Sequence, residues 1–332
     1  MPLVDEQPTE ADVVFQSAHD ILDASGISRD DATFRRITGG VSSTTFAVDL
    51  PDGGLIIKQA LAQLDVAEEW TASPDRVVAE AEGLTWFNRL TPHHVPQPIS
   101  VVEHLYGLVL PMAPQPSPDL RTVLLETPDQ CDARWPSLLG SILNTWHLAD
   151  YQPALDSALD DTSRLVDLRI NPFYLDIAGR WPEHSARIDE LVHELLSVKT
   201  TVVHGDFTPK NVLCLPDGNL WVVDTEVAHI GNPVLDTASM VAHLILKSFL
   251  YRNDDDTSTY LHLARDRFLD ALAPTSRPAS LGAHIGLFLA VRVAGRAKVS
   301  YLDESSTRDI AVMAHGLLEG ANLENECEEW LT

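Results

Sequence analysis

The chain carries HGDFTPKN at His204–Asn211 and, ten residues later, VVDTE at Val222–Glu226. Asp206 and Asn211 are five positions apart, in a segment that a glycine and a proline keep out of regular helix or strand. Asp224 follows Asn211 by thirteen positions and ends an apolar run. The pattern predicts a polar loop, a pair of short strands, and a carboxylate at the end of the second strand.

These residue types, in this order, suit phosphoryl transfer. Asp206 would accept or orient the proton of an attacking hydroxyl, and alignment matters more than basicity because the transition state is loose. Asn211 offers a neutral oxygen and Asp224 a charged one to magnesium, a hard cation that prefers oxygen ligands. In an extended segment Glu226 returns to the face of Asp224, so it is either a further metal or substrate ligand or a surface carboxylate. We expect His204 to bond the backbone near Asp224 rather than to transfer a proton.

Composition limits the partners of this chain of 332 residues. Acidic residues outnumber basic residues by 49 to 23, which gives a formal charge of −26 at pH 7. Nucleic acid and anionic membranes would repel such a chain, so we expect neither as a partner. The acidic balance serves either solubility or the attraction of a cationic substrate. Three cysteines without metal-type spacing, no visible secretory signal and no apolar run long enough to span a bilayer predict a cytoplasmic protein.

Hydrophobic periodicity predicts an α+β chain in two parts. The first part has a short helix, three strands, a longer helix and two more strands, at residues 11–25, 34–38, 44–50, 55–59, 74–90, 99–103 and 108–111. A proline-rich stretch at 111–118 follows, and we place the domain junction there. The second part is mostly helical, with predicted helices at 134–149, 185–197, 235–250, 258–272, 281–302 and 307–320.

The first part has features that suit nucleotide phosphates. GGVSST at Gly39–Thr44 joins the first two strands, and its glycines and its hydroxyls, among them Ser42 and Ser43, would surround an anion; an ordinary hairpin turn is the alternative. Lys58 ends an apolar strand, and it either binds phosphate or protects an edge strand from aggregation. Glu80 shares the apolar flank of its helix, whereas the glutamate two positions later points about 200° away. We therefore predict an ion pair between Lys58 and Glu80.

The motif at 204–211, the Asp-x-Glu at 224–226 and GNPVLD at Gly231–Asp236 together resemble the aminoglycoside phosphotransferase family of small-molecule kinases. The Asp-x-Glu form is most similar to the methylthioribose-kinase branch. The resemblance implies a two-lobed, protein-kinase-like fold. A small antiparallel-sheet lobe at 1–112 would bind the nucleotide, and a helical lobe at 113–332 would carry the catalytic loop and the acceptor site.

The resemblance also implies ATP and magnesium as cofactors. It implies that Met112 lies in the hinge against adenine, and that Asp236 braces the catalytic loop rather than reacting.

Differences from protein kinases favour a small acceptor. His-Gly-Asp replaces His-Arg-Asp, Asp-Thr-Glu replaces Asp-Phe-Gly, and only eleven residues separate Asp224 from Asp236. That segment is short for docking a polypeptide, and the loop lacks the arginine that would anchor a phosphorylated switch. The leading prediction is an ATP- and magnesium-dependent O-phosphotransferase acting on a sugar, an aminocyclitol, an aminoglycoside or a similar small alcohol. A catalytically silent nucleotide-binding regulatory module is the alternative, and a protein kinase is a third possibility.

The acceptor site has the weakest sequence signal. Arg292 and Arg296 are four apart on the helix predicted at 281–302, so they would share a face and bind an anionic or polyhydroxyl group. Ion pairs with surrounding acids are the alternative. A cationic aminoglycoside would instead favour an acidic pocket, so the two kinds of acceptor predict opposite charge in the site. The sequence predicts neither the acceptor nor the oligomeric state.

Overall fold

A computed structural model of the chain describes residues 10–38, 42–51, 53–64, 70–151 and 157–331. The Gly39–Val41 part of the predicted phosphate loop lies outside these residues, whereas Ser42 and Ser43 lie within them. Among the described residues, no helix is both long and apolar enough to cross a membrane.

The N-terminal part is a five-stranded antiparallel sheet with a helix on each face, close to the prediction. The strand order is β1-β2-β3-β5-β4. Its elements are α1 (Glu10–Ala24), β1 (Thr33–Ile37), β2 (Ser43–Leu50), β3 (Gly53–Ala60), α2 (Arg76–Leu90), β4 (Ser100–Val102) and β5 (Gly107–Pro111).

Alternation along β3 directs neighbouring side chains to opposite faces of the sheet. Ile57 is fully buried and belongs to the small apolar cluster that α1 forms with the sheet through Ile21 and Leu22. Lys58 therefore points to the other face, where α2 presents Glu80. The pattern that buries α1 also delivers the lysine to the cleft side of the sheet.

The rest of the described chain is mostly helical, with two short strand pairs around residues 204–211, the predicted catalytic loop. Strand β6 pairs with β9, and β7 pairs with β8. The helices are α3 (Leu120–Glu126), α4 (Trp135–His147), α5 (Ser163–Leu165), α6 (Asp176–Arg180), α7 (Ser185–Ser197), α8 (Val234–Leu250), α9 (Asp255–Asp270), α10 (Leu281–Val293), α11 (Glu304–Leu318) and α12 (Leu323–Leu331). The strands are β6 (Thr201–Val203), β7 (Val212–Cys214), β8 (Leu220–Val222) and β9 (His229–Gly231).

One predicted helix is shorter than expected. The helix predicted at 281–302 ends at Val293, because the chain turns at Gly295. The Gly295 amide donates to the Ala290 carbonyl at 3.1 Å, and a Cβ at Gly295 would lie 2.9 Å from the Val291 Cα. Glycine is the usual residue just beyond a helix end. Residues 296–302 consequently fold back and do not extend the helix.

A second difference is the segment between α5 and α6, for which no helix was predicted. Val166–Leu175 forms a π-helical segment that contains Pro172 and joins the two short helices. An interior proline removes a backbone donor and widens or breaks an α-helix, and so it masked the helical pattern.

Helix α2 lies directly on the chain that follows Asp224. A Cβ at Gly83 would lie 2.9 Å from the Ala228 Cβ and 3.0 Å from the Thr225 Oγ1, so this approach needs a glycine. The Thr225 hydroxyl in turn donates to the Glu80 carbonyl at 2.8 Å. Helix α2 is thus held against the segment that follows Asp224.

Candidate active site

A buried carboxylate holds the backbone of the catalytic loop in place. Asp236, at the start of α8, is 0% exposed and accepts the backbone N–H groups of His204 and Gly205, each at 2.8 Å. Burial acts to raise the pKa of Asp236, but hydrogen bonding from His147 and the nearby imidazole of His204 hold it below its ordinary value. These contacts give Asp236 the bracing position that the resemblance implied.

His204 also has the structural role expected of it. Its Nδ1 accepts the Asp206 N–H at 3.2 Å, so the imidazole Nε2, 3.1 Å from the Val223 carbonyl, is the donor. The imidazole thereby links the loop to the end of β8.

Asp206 is held by two donors. Its Oδ2 accepts the Asn211 amide at 2.9 Å, and its Oδ1 lies 2.7 Å from a guanidinium nitrogen of Arg169. Arg169 is buried in the π-helical segment and also donates to the Gly205 carbonyl at 2.9 Å. The Asn211 Nδ2 donates to Asp206. The Asn211 Oδ1 has no hydrogen-bond partner among the described residues, so it is available to a cation.

Sequence reasoning missed Arg169. The only available signal was a basic residue in the apolar run Leu168–Ile170, in a segment that Pro172 made hard to assign. Its two functional contacts depend on residues more than 30 positions away, which local patterns do not reveal.

Lys58, Glu80 and Asp224 form one largely buried cluster. The Lys58 Nζ lies 2.5 Å from the Glu80 Oε1 and 2.6 Å from the Asp224 Oδ1, so the predicted ion pair with Glu80 is present in the structure. Burial opposes charge on both Lys58 and Asp224, yet the pKa of the lysine is raised and that of the aspartate lowered, because each faces the opposite charge. Burial and the neighbouring carboxylates raise the pKa of Glu80 to about 7.

Asp224 has a backbone conformation that is unusual for a residue with a side chain. Its φ is 71°, in the left-handed region, where such conformations often mark functional sites. The extended backbone assumed for residues 224–226 is therefore wrong. Glu226 nevertheless lines the same cavity as Asp224.

Glu226 is not a solvated surface carboxylate. Its side chain is 12% exposed, and its Oε2 accepts the Arg76 Nε at 2.9 Å. Arg76, which the sequence did not single out, is almost fully buried and donates to the carbonyls of Ser42, Leu61, Ala72 and Ser73. Arg76 thus ties the phosphate-loop end of β2 to the segment after Asp224.

Two cavities meet at this cluster. The first, which we call the nucleotide cavity, has a volume of about 360 Å³ and runs from Ser42, Ser43 and Lys58 to Asn211 and Asp224. Its apolar walls come from both parts of the chain and include Ile56, Leu110, Ala113, Leu213, Trp221 and Val223. The second, the acceptor cavity, has a volume of about 280 Å³ and contains Asp206 and Glu226. Both cavities are lined by Ser42, Arg121, Lys210 and Asp224.

Two larger concavities, of about 590 and 800 Å³, lie elsewhere and contain none of the residues predicted for the site. We therefore assign the site by its side chains and not by size.

The structure separates the two arginines predicted to bind the acceptor. Arg292, in the last turn of α10, lines the acceptor cavity. Arg296 lies beyond the end of the helix, is exposed and pairs with Asp176 at 3.2 Å. The shared face predicted for the two arginines is wrong, because Gly295 ends the helix between them. For Arg296, the structure shows the ion pair that was the alternative to acceptor binding.

Met112 occupies the junction between the two parts, with its side chain against Gly54. The residues on either side of it, Pro111 and Ala113, line the nucleotide cavity. The Met112 side chain itself is not among the residues that line this cavity.

Solved structures share this fold at low identity. A choline/ethanolamine kinase family protein from Mesorhizobium loti aligns with a TM-score of 0.53 and 12% identity over 96% of this chain and 99% of that chain. Amicoumacin kinase hAmiN, in complex with AMP-PNP, Ca²⁺ and Ami, aligns with a TM-score of 0.53 and 13% identity over 93% and 95% of the two chains. Choline kinase LicA from Streptococcus pneumoniae aligns at 0.51 and 10% over 95% and 96%. These likenesses confirm the predicted α+β, protein-kinase-like fold.

No curated protein matches the sequence of the chain. A family model does: APH, described as the phosphotransferase enzyme family, matches residues 33–279, from the first strand of the sheet to the loop before α10. The match spans more than two thirds of the chain and includes the whole of the catalytic loop, so the chain belongs to the phosphotransferase enzyme family.

Proposed function

We propose that this protein is an ATP- and magnesium-dependent O-phosphotransferase that moves the γ-phosphoryl group to a hydroxyl of a small molecule. One observation carries the proposal. Asp206 and Asn211, from one loop, are hydrogen-bonded at 2.9 Å and line the acceptor cavity and the nucleotide cavity respectively, and Asp224, which follows β8, lines both cavities. The family match supports phosphotransferase chemistry.

In this proposal the nucleotide is held from the sheet side. Lys58, fixed by Glu80, would neutralise phosphate charge, and the hydroxyls of Ser42 and Ser43 would lie beside the phosphates. The apolar walls suit a purine, and the chain at Met112 would supply backbone contacts at the hinge. The proposed lobes, 1–112 and 113–332, divide at this same point.

The oxygen donors of the site suit magnesium. Asp224 gives only Oδ1 to Lys58, which leaves its Oδ2, and the Asn211 amide is oriented with its Oδ1 away from Asp206. Glu226 is a third oxygen ligand in the proposal, although Arg76 already holds its Oε2. Bound there, magnesium would neutralise the phosphate oxygens and favour in-line transfer.

Asp206 is the proposed catalytic residue. Its carboxylate would accept the hydrogen bond of the acceptor hydroxyl and align that oxygen with the phosphoryl group. Arg169 and Asn211 fix the carboxylate from both sides, so little reorganisation is needed when the acceptor binds. Lys210, which lines both cavities, lies where negative charge passes from one substrate to the other.

Replacement of Asp206 by Asn tests the proposal. We expect Asp206→Asn to retain its melting temperature and its affinity for Mg-ATP and to lose about 10²–10⁴-fold in kcat, the usual contribution of a positioned acid–base group. The measurement is acceptor-dependent ADP release across a panel of small alcohols, with ATP affinity followed by calorimetry. Asp217→Asn, in an exposed turn, is the matched control.

Parent-level turnover by Asp206→Asn with an identified acceptor would refute the role of Asp206. Saturable Mg-ATP binding by the wild type without ADP release for any acceptor would instead favour the silent nucleotide-binding module.

A further inference from the structure

The acceptor cavity is electrostatically unlike the rest of the chain. The whole sequence has about two acidic residues for every basic one. Among the described residues, the cavity instead brings together five cationic side chains and three carboxylates: Arg121, Arg169, Lys210, Arg292 and Lys298, with Asp206, Asp224 and Glu226. In so acidic a chain, this concentration of positive charge is a specific feature of the site.

The three carboxylates already have close cationic partners, and one of these partners, Lys58, is shared between Asp224 and Glu80. Each has a cation within 3 Å, and two of these cations, Lys58 and Arg76, do not line the acceptor cavity. The pairs are Arg169–Asp206 at 2.7 Å, Lys58–Asp224 at 2.6 Å and Arg76–Glu226 at 2.9 Å. Four cations remain that have no carboxylate within ion-pair distance among the described residues: Arg121, Lys210, Arg292 and Lys298.

The four remaining cations divide between two places. Arg121 and Lys210 line both cavities, so they lie where the transferred phosphoryl group would pass. Arg292 and Lys298 line the acceptor cavity alone, with His243 and Tyr301 beside them. Neutralisation of the nucleotide phosphates would account for Arg121 and Lys210. It gives no function to Arg292 and Lys298.

The acceptor end also contains polar atoms whose bonding is incomplete. The Arg292 Nε, the His243 Nδ1 and the Tyr301 hydroxyl are shielded from solvent and have no hydrogen-bond partner within the described ranges. The one hydrogen bond that Arg292 makes there is to the Ala297 carbonyl, at 3.1 Å. Buried polar groups in native proteins are nearly always partnered by protein, water or ligand, so three such groups in one cavity wall indicate a site.

Within the described part of the chain, a further basic side chain lies beside this end of the cavity. Lys247 on α8 is fully buried, with its Nζ 5.4 Å from the Tyr301 ring centre. Burial and the nearby Arg121 and Arg292 lower the pKa of Lys247 to about 7, and only Asp119 acts in the opposite direction. Arg292 has Asp206 as its favourable charged neighbour, while Arg169 and Arg121 oppose it.

We propose that the acceptor is a small hydroxy compound that carries an oxyanion, a carboxylate or a phosphate, which binds at Arg292 and Lys298 beside Tyr301. This inference rests on the proposed function and names its substrate class. Asp206 and Arg292 line the same cavity of about 280 Å³, so one small acceptor would contact both with its reacting hydroxyl and its oxyanion. A polycationic aminoglycoside would meet like charges here, and a neutral polyol would leave these cations without a counter-charge.

The first test needs no turnover. With the nucleotide cavity saturated by Mg-AMP-PNP, inorganic sulfate is added to the full chain, and the melting temperature is compared with that in sodium chloride of equal ionic strength. We expect sulfate to raise the melting temperature of the wild type beyond the chloride control, and the excess to disappear in Arg292→Gln and in Lys298→Gln. Arg308→Gln, an exposed position on α11, should keep the full response.

Lys298 is exposed, so its variant folds even where removal of the partly buried Arg292 disturbs the chain. The proposal would be overturned if Lys298→Gln and a folded Arg292→Gln both kept the wild-type sulfate response. It would also be overturned if the wild type showed no response to sulfate beyond that to chloride.

The second test uses matched acceptors with Mg-ATP. D-gluconate is compared with D-glucitol, D-ribose 5-phosphate with D-ribose, and kanamycin represents the polycations. We expect one of the anionic compounds to exceed its neutral partner at least tenfold in kcat/KM. Arg292→Gln should raise KM for that compound about 10–100-fold with a smaller change in kcat, as when a charge-assisted hydrogen bond to bound substrate is lost.

The two failures are distinguishable. ADP release that prefers a neutral or cationic acceptor overturns the anionic acceptor and leaves the phosphotransferase intact. An Arg292-dependent sulfate response without ADP release from any acceptor leaves an anion site and counts against the proposed function. The gluconate and ribose 5-phosphate arms decide between a carboxylate and a phosphate.

Discussion

Asp206 has its orientation set by a residue that lies far away in the sequence. Arg169 reaches the carboxylate with one guanidinium nitrogen and the Gly205 carbonyl with its Nε. A lysine carries a single ammonium group and cannot span both acceptors in this fixed geometry. Under the proposed function, Arg169 is therefore a positioning residue that acts through Asp206.

Substitution at Arg169 should lower kcat more than it changes the affinity for ATP. Under the proposed function, we expect Arg169→Lys to lose about tenfold in kcat and Arg169→Gln about 100-fold, because a misplaced reacting group costs about this much. The KM for ATP should stay within twofold of the wild-type value. Steady-state kinetics with both substrates varied provides the measurement, and an equal loss in kcat for Lys and Gln would contradict a geometric role.

Asp236 should matter to stability as much as to catalysis. Both of its oxygens accept backbone N–H groups of the loop, so Asp236→Asn would place an amide donor against another donor in a fully buried site. We expect a loss of about 1–3 kcal/mol in the free energy of unfolding, measured in urea. Asp217→Asn, which lies in an exposed turn, should change stability by less than about 0.5 kcal/mol. Equal losses in the two variants would show that the loop does not depend on Asp236.

At this scale the sequence predicted contacts that depend on local geometry. The pairing of Lys58 with Glu80 followed from the phase of one helix, and the bond between His204 and the chain near Asp224 followed from a short loop. Arg76 and Arg169 were missed because each acts through acceptors on segments that only the folded chain brings together.

Among the elements, α2 has the tightest contact with the catalytic segment. Gly83→Ala would gain about 1 kcal/mol of helix propensity in an open position. Here its Cβ would meet Ala228 and Thr225 at 2.9–3.0 Å, contacts that require the helix or the loop to move. The packing penalty should exceed the propensity gain, and movement of α2 would also disturb the Lys58–Glu80 pair.

We therefore expect Gly83→Ala to lower the free energy of unfolding by about 1–3 kcal/mol, as overpacking usually does. Gly179→Ala is the matched control, because Gly179 is also helical and a Cβ there would meet nothing within 4 Å. That variant should be neutral or slightly stabilised in the same urea titration. A stable Gly83→Ala protein would mean that α2 has room to shift.

Helices α7 and α10 are joined by a carboxylate whose effect depends on pH. The imidazole of His284, the Ser280 hydroxyl and the Asn232 amide lower the pKa of Glu194 to about 2. A carboxyl with a depressed pKa in the folded chain stabilises it above the unfolded pKa and ceases to do so as the pH falls through the folded value. The contribution is thus present at pH 7 and is lost between about pH 4.5 and pH 2.

Glu194→Gln should therefore differ from the wild type at neutral pH and converge with it in acid. We expect a difference of about 1 kcal/mol in unfolding free energy at pH 7, reduced from the full linkage value because the side chain is partly solvated. Urea titrations at pH 7, 4.5 and 3 provide the measurement. Glu190→Gln, exposed on the same helix, should show no such convergence. A constant difference at all three values would refute the linkage.

The sequence predicted most elements because their apolar spacing was regular, and the failures have physical causes. The helix at 281–302 ended early because a glycine followed Ala294, although the apolar pattern continued. The π-helical segment was not recognised because a proline interrupts its spacing. Both errors affected the acceptor side of the cleft, which is why Arg296 was misplaced and Arg169 was overlooked.

On the scale of the whole molecule, net charge and local charge differ in sign. The formal charge of −26 left two interpretations open, plain solubility or the attraction of a cationic substrate. The fold instead concentrates basic side chains in one cavity and pairs the acids there with cations. Composition cannot reveal this arrangement, because it depends on which segments the topology brings together.

The two cavities have a common wall at Arg121, Lys210 and Asp224, and this has a kinetic corollary. Nucleotide and alcohol would occupy the enzyme at the same time, with no side-chain relay between donor and recipient. Double-reciprocal plots of initial velocity, with both substrates varied, should then intersect rather than run parallel. A γ-thiophosphate made chiral with oxygen isotopes should be transferred with inversion of configuration at phosphorus. Retention would require an intermediate attached to the protein.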